Sequence, residues 1–368
     1  MLHEHVGPSA VRLTFKDPGH YLIEARASSR MTSTVKGEEF GELADLITTR
    51  FASSGSLGGV YLDRFLDATR IDVETILKAV QKDLLQLRKI KLPKVAWTGA
   101  SIYQSRVVGH EIIRRGGEVV KFDHGGSTGM NGWPERDAFV ELNGATRLVM
   151  ATNAAAEFAK RSDPERLIAP VHHCEIVGGA GYPHLKLISR SHKVDRKRGV
   201  RRVMYCPTFF RAHFSNPGET MGEPIHMDFT LRVAEALTRL PIDVVLKPHP
   251  QAVSPDGRHY AQDVAQVSYE KFEDVMDDVD VFIFDVINST TFWEAVCTHH
   301  DVILINLGSM PMGDNIMRML KRRCTVLDTK YDETGKPQID LQILEQAVMA
   351  PAHSADPTEF RRLLALEE

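Results

Sequence analysis

Asp243-Val-Val-Leu-Lys-Pro-His-Pro250 is the stretch on which the fold turns. Val244, Val245 and Leu246 form a short unbroken apolar run, which suits a parallel strand covered on both faces. Pro248 and Pro250 end that strand, because neither ring can donate to a ladder. Lys247 and His249 are then held on a stiff turn at the carboxyl edge of a sheet, where open α/β folds bind ligands. A cation and an imidazole fixed there suit a phosphate. A solvated loop with a chance histidine is the plain alternative.

Outward from this strand the chain alternates. Toward the carboxyl end, Glu270–Asp278 is expected as a short helix, Val279–Phe284 as a strand and Ser289–Val296 as a helix. Val302–Ile305 then reads as a strand and Gly313–Arg323 as a helix whose basic end suits its dipole. Asp340–Met349 and Pro357–Leu366 are closing helices. Toward the amino end, Asp228–Arg239 is a helix and Val203–Tyr205 a strand. Before it lies His192–Arg202, a basic, apolar-poor stretch expected as a linker, with an anionic-lipid patch as its alternative. A second alternation starts at Pro93. Val95–Trp97 is a strand, Ser101 caps a helix that Gly116-Gly117 stops, and Val119–Phe122 and Arg147–Ala151 are further strands. Asn153–Lys160 is an alanine-rich helix. Such alternation belongs to parallel-sheet α/β domains.

The segment before Pro93 is less regular. Val11–Phe15 and Tyr21–Ala25 read as strands around an Asp-Pro-Gly turn. Glu39–Phe51 and Asp72–Lys89 read as helices, the second with Ile76, Val80, Leu84 and Leu87 along one apolar face. The expected division is therefore 1–92 as a segment on or within the first domain, 93–191 as the first α/β domain and 192–202 as linker. Residues 203–350 form the second α/β domain, and 351–368 carry a C-terminal helix.

At 368 residues the chain is too long for one ordinary core. Its 43% hydrophobic and 26% charged content is globular, and a net charge of −4 argues against broad nucleic-acid binding. Cys174, Cys206, Cys297 and Cys324 lack the spacing of a zinc site or disulfide scaffold, which fits a reducing cytoplasm. No apolar run approaches a membrane span, and the first residues lack a signal-peptide core. A cytoplasmic protein is expected, with peripheral contact at the inner membrane face or with a partner module as the further option.

Three more stretches carry chemistry. In Asp285-Val-Ile-Asn-Ser-Thr-Thr-Phe-Trp-Glu294, a strand ends and a helix begins at Asn288 or Ser289. Ser289, Thr290 and Thr291 offer hydroxyls to an anion at the helix start, and Glu294 offers a carboxylate to ribose hydroxyls. Cys206-Pro-Thr-Phe-Phe-Arg211 follows another strand, with Thr208 and the planar fork of Arg211 suited to phosphate oxygens. Asp123-His-Gly-Gly-Ser-Thr-Gly129 lies in the other half. There Gly125, Gly126 and Ser127 permit close backbone approach, and Asp123 or His124 can remove a proton from an acceptor hydroxyl. Neither a Walker loop nor a Gly-x-Gly-x-x-Gly fingerprint is present. Adjacent pairs such as His172-His173 and His299-His300 point apart on a strand and make poor metal sites.

Taken in order, Cys206-Pro-Thr-x-x-Arg211, Lys247-Pro-His-Pro250 and Asn288-Ser-Thr-Thr-Phe-Trp-Glu294 resemble the carboxyl-terminal half of GT-B transferases that build bacterial surface polymers. The likeness is to CDP-glycerol glycerophosphotransferases and to surface-carbohydrate transferases with a Ser-Thr-Thr-Phe-x-Glu-Ala signature. Bacterial sialyltransferases and Kdo transferases share a looser version. The resemblance implies an α/β GT-B fold, two Rossmann-like domains with parallel sheets facing a central cleft that holds a cytidine nucleotide. It implies that His249, with Ser289 and Thr290, binds donor phosphate. The polymerases' His-Gly pair maps to His124-Gly125, whereas the sialyl and Kdo enzymes' acidic base maps to Asp123.

The expected function is an inverting, metal-independent glycosyltransferase of bacterial cell-surface polysaccharide or glycoconjugate synthesis, with no cofactor. Its expected donor is CMP-linked, a Kdo- or sialic-type ulosonic acid, and its acceptor a saccharide or lipid-linked saccharide. CDP-polyol phosphotransfer is the alternative, followed by a UDP-sugar transferase or 2-epimerase of the same fold.

Overall fold

The computed structural model describes residues 18–28, 40–54, 59–99, 102–123, 126, 128–130, 132–161, 173–191, 200–207, 222–253, 257–287, 289–308, 312–350 and 356–365. Two parallel sheets organise them, each with the alternation read from the sequence.

The second sheet contains the Asp243 stretch. Its strands are β5 (Arg202–Cys206), β6 (Asp243–Leu246), β7 (Gln266–Val267), β8 (Val281–Phe284), β9 (Asp301–Asn306) and β10 (Thr325–Asp328), in the spatial order β10-β9-β8-β5-β6-β7. All pairs are parallel, with Val203 opposite both Val244 and Val281. This is the Rossmann order: the chain runs outward from β5 to β7, then returns to β8 and runs the other way. The carboxyl ends of β5 and β8 therefore form a switch point. Central β8 is buried at every position because both its faces are covered. Phe282 and Phe284 enter one core, while Val281 and Ile283 enter the other.

The first sheet is smaller. It comprises β1 (Val95–Thr98), β2 (Glu118–Phe122), β3 (Arg147–Met150) and β4 (Glu175–Gly178), parallel and in chain order. Among the described residues three helices precede it: α1 (Pro18–Ser28), α2 (Gly41–Ser54) and α3 (Gly59–Leu87). Helix α1 packs on α3 and on α4 (Tyr103–Arg114). Tyr21–Ala25 is thus helical, a correction of the strand expectation. Leu22 and Ala25 are buried one turn apart while Ile23 faces solvent, a helical spacing that the short window disguised. Val11–Phe15, Ser101 and most of the basic stretch before Val200 lie outside the described residues. Ile76 is 59% exposed although Leu87 is fully buried, so α3 meets the core only through its carboxyl end.

The two parallel-sheet units meet along a packed seam. Met130, Phe158 and Leu185 of the first unit share a core with Phe284, Phe292 and Trp293 of the second. The seam also takes in helix α6 (Asn153–Lys160) and helix α7 (Pro183–Ser191) of the first unit, and helix α10 (Thr290–Val296) of the second. Helix α13 (Thr358–Leu364) crosses it. Between these lie α5 (Pro134–Asp137), α8 (Glu223–Thr238), α9 (Phe272–Val275), α11 (Asp314–Arg323) and α12 (Leu341–Met349). Among the described residues no helix is long and apolar enough to cross a membrane.

Candidate functional site

Strand β2 ends at Phe122, and the next residue is placed by the ladder itself: the Asp123 N–H donates to Val149 O at 2.9 Å. The Asp123 side chain is buried, at 5% exposure, and both carboxylate oxygens have protein donors. Thr128 Oγ1 donates to Oδ1 at 2.5 Å, and Tyr182 Oη donates to Oδ2 at 2.7 Å. Burial pushes the Tyr182 pKa far up, and the neighbouring Asp123 charge pushes it further, so this phenol stays a donor. The loop then bends back. Gly129 has φ +77°, and a Cβ there would stand 2.6 Å from Ala159 of α6, so only glycine fits.

Gly126 brings the loop to the other unit. A Cβ on it would lie 3.2 Å from Leu364 of α13 and 3.7 Å from the Trp293 indole of α10. Trp293 is followed by Glu294, which is 3% exposed. Glu294 is not presented on an open edge, as the ribose expectation required. The helix turns it inward, where Oε1 stands 3.3 Å from His184 Nε2 of the first unit. Burial raises the Glu294 pKa, and the His184 hydrogen bond opposes that rise. Its Oε2 is buried without a hydrogen-bond partner among the described residues, as is Trp293 Nε1.

Ser289 stands at the N-cap of α10, but its hydroxyl pairs with Thr291 Oγ1 at 2.7 Å rather than capping a backbone N–H. Thr290 is exposed. Beneath this loop, Asp285 is buried and accepts from Tyr205 Oη at 2.9 Å, with His226 Nε2 at 3.3 Å from the same oxygen. That cluster ties the end of β8 to β5 and α8.

At the end of β6, Lys247 N–H still donates to Tyr205 O, extending the ladder by one residue. The Lys247 side chain is 9% exposed, and its pKa is lowered by burial, against the opposing pull of Cys206 and Glu273. His249 is exposed, and its pKa is lowered by partial desolvation and then by the Lys247 charge. A cavity of about 590 Å³ lies along the same sheet face, lined by Met204, Val245, Val267, Tyr269, Glu270 and Val275. Val245 and Lys247 are two residues apart on one strand direction and so share that face. Arg202, Asp278 and Val279 also line the cavity, so it reaches toward the amino ends of β5 and β8, and Lys247 is not among its lining residues.

The structure thus joins the Asp123 loop to α10 through Gly126 and keeps Lys247 beside His249. Thr208, Arg211, His124, Gly125 and Ser127 lie outside the described residues. Tyr182, His184, Thr128 and His226 were not singled out from sequence. The signal for the first two was Gly181-Tyr-Pro-His184, where a glycine at φ +83° precedes a proline that opens a helix.

No family model and no curated protein matches the chain. Solved structures do. MnaA of S. aureus, solved with UDP, gives a TM-score of 0.44 at 13% identity, covering 77% of this chain and 76% of that one. MurG of Acinetobacter baumannii gives 0.37 at 14% identity, covering 74% and 68%. The wall teichoic acid polymerase TagF, solved with CDPG, gives 0.30 at 14% identity over 60% of this chain. The chain spans 54% of that polymerase chain. Identities this low leave the side chains themselves to say what the site does.

Proposed function

We propose that the chain transfers a group from a nucleotide-activated donor to a hydroxyl acceptor, with residues 93–191 holding the acceptor and 203–350 the donor. The observation that carries this is the Rossmann-ordered sheet. Its carboxyl edge bears Lys247, His249 and the Ser289–Thr291 hydroxyls, and its neighbouring loop touches the Asp123 loop of the other unit. Anions bind at such edges. Lys247 and His249 would neutralise the leaving phosphate, and charge stabilised where it develops is usually the largest catalytic contribution.

Within this reading the donor is a cytidine nucleotide, CMP-linked to an ulosonic acid, in synthesis of a bacterial surface polysaccharide. One feature favours the CDP-polyol alternative. Both Asp123 oxygens already accept hydroxyl protons, which speaks against Asp123, the match for the sialyl and Kdo enzymes' acidic base.

Calorimetric titration with CMP, CDP, UMP and UDP, with and without EDTA, tests the assignment. Metal-independent CMP binding lost in His249→Ala supports the ulosonate donor. CDP preference selects polyol-phosphate transfer, and binding of no nucleotide rules the reading out.

A further inference from the structure

We propose that His184 and Glu294 form an acid–base dyad across the seam, with His184 accepting the proton of the acceptor hydroxyl and Glu294 positioning its ring. This rests on the transfer reading above.

The two residues come from different units, and their exposures differ sharply. Glu294 is 3% exposed while His184 is 46% exposed, at a separation of 3.3 Å. One edge of the imidazole is thus turned to a buried carboxylate and the rest of the ring to solvent. That is the arrangement by which a carboxylate fixes the tautomer of a histidine whose other nitrogen does the chemistry. The ring is held from a second side. Tyr182 packs on it with centroids 5.7 Å apart, and the same Tyr182 donates to Asp123. His184 therefore stands beside the loop expected to receive the acceptor.

Its backbone is fixed as well. A Cβ on Gly181 would lie 2.9 Å from Ala365 O, so this turn is pressed against the end of α13. Glu294 Oε2, buried without a partner among the described residues, is the kind of unmet polar atom that calls for a functional explanation. A purely structural position would be served as well by glutamine, whose amide avoids a buried charge. The titratable groups set near the pair are Glu273 toward Glu294 and Tyr182, itself bonded to Asp123, toward His184.

The step balances without a further reactant. The acceptor O–H bond breaks, and its proton passes to the open nitrogen of His184. The acceptor oxygen bonds to the donor's electrophilic centre. The bond from that centre to the nucleotide phosphate oxygen breaks, and the nucleotide leaves with the electron pair. The half-exposed imidazolium then returns its proton to solvent. Because each unit supplies one member, the dyad exists only when the seam is formed.

The test uses the full chain and its His184→Gln and Glu294→Gln variants. Nucleotide release from CMP-sialic acid, CDP-glycerol and UDP-N-acetylglucosamine is followed against pH. Expected is a fall in kcat of roughly 10²–10⁴-fold in His184→Gln with KM little changed, and loss of the acidic limb of the pH–rate profile. In Glu294→Gln kcat falls while KM and the urea midpoint stay near wild type, because the ring loses the carboxylate that positions it. An acidic limb that persists in His184→Gln, or an unchanged kcat in Glu294→Gln, overturns the dyad while leaving transfer intact. A wild type that binds and consumes no activated donor overturns the transfer reading, and the catalytic assignment with it.

Discussion

Asp123 shows how little of a residue's role its own position reveals. The sequence places it correctly at the end of a strand, because an apolar run followed by Asp-His-Gly has few other readings. Its partners Thr128 and Tyr182 are brought by a glycine turn and by a distant helix start, and no local pattern announces the second. Tyr182→Phe removes one donor from a buried carboxylate, and urea unfolding should show a loss of about 1–3 kcal/mol. A midpoint unchanged from wild type would mean that water replaces the phenol. Lys247 and His249 were legible for the opposite reason: two prolines fix their turn locally. His249 is kept largely unprotonated near neutrality by partial burial and by Lys247. A bound phosphate reverses that preference, so nucleotide binding should take up a proton and tighten as pH falls from about 8 to 6. Titrations in buffers of different ionisation enthalpy will show the uptake, and pH-independent affinity would place the phosphate elsewhere.

The elements are held at their ends by arginines. Arg323 is 4% exposed at the end of α11, and its guanidinium donates to the carbonyls of Ala295, Val296, Thr298 and His300. Ala295 O also accepts from Thr298 N–H and Thr298 Oγ1, so the guanidinium reinforces the end of α10 and the turn after it. Arg323→Met fills similar space with no donors and should cost about 3 kcal/mol or more, read as a lower urea midpoint. In the first unit Glu111 is fully buried and accepts from Arg114 and Arg115, while Arg115 also reaches Leu87 O and Ile90 O past the end of α3. Burial alone would raise the Glu111 pKa, but the two arginines outweigh it and hold it low. Its contribution is therefore present at neutral pH and is lost as pH falls below the usual glutamate value of about 4.3. Glu111→Gln should flatten this part of the acid-unfolding curve. At this scale strands with three or more apolar residues were readable. Glu175–Gly178 and Thr325–Asp328 were not, since they are edge strands with only two apolar residues each. Tyr21–Ala25 misled because five residues cannot separate a helix from a strand.

Across the whole molecule, α13 is the strap. Thr152 Oγ1 donates to Leu363 O at 2.7 Å and Tyr182 N–H to Leu364 O at 3.0 Å, both from the first unit. From the second unit, Arg361 Nε donates to Cys297 O at 2.6 Å, Arg322 pairs with Glu359 at 2.7 Å, and Phe360 lies against Trp293. Deleting residues 357–368 should turn one calorimetric transition into two, since the shared core loses Phe360, Leu363 and Leu364. A single unshifted transition would show that the seam holds without the strap. The two-unit plan was legible from the alternation of strands and helices. How tightly the units close was not, because it depends on contacts between residues more than a hundred positions apart. The strap also bears on how the protein is made. Among the described elements α13 leaves the ribosome last, so Ala151, Phe158 and Leu185 await their cover until translation of everything before it is done. A nascent chain paused short of that helix presents an apolar face, which makes it a natural substrate for chaperones.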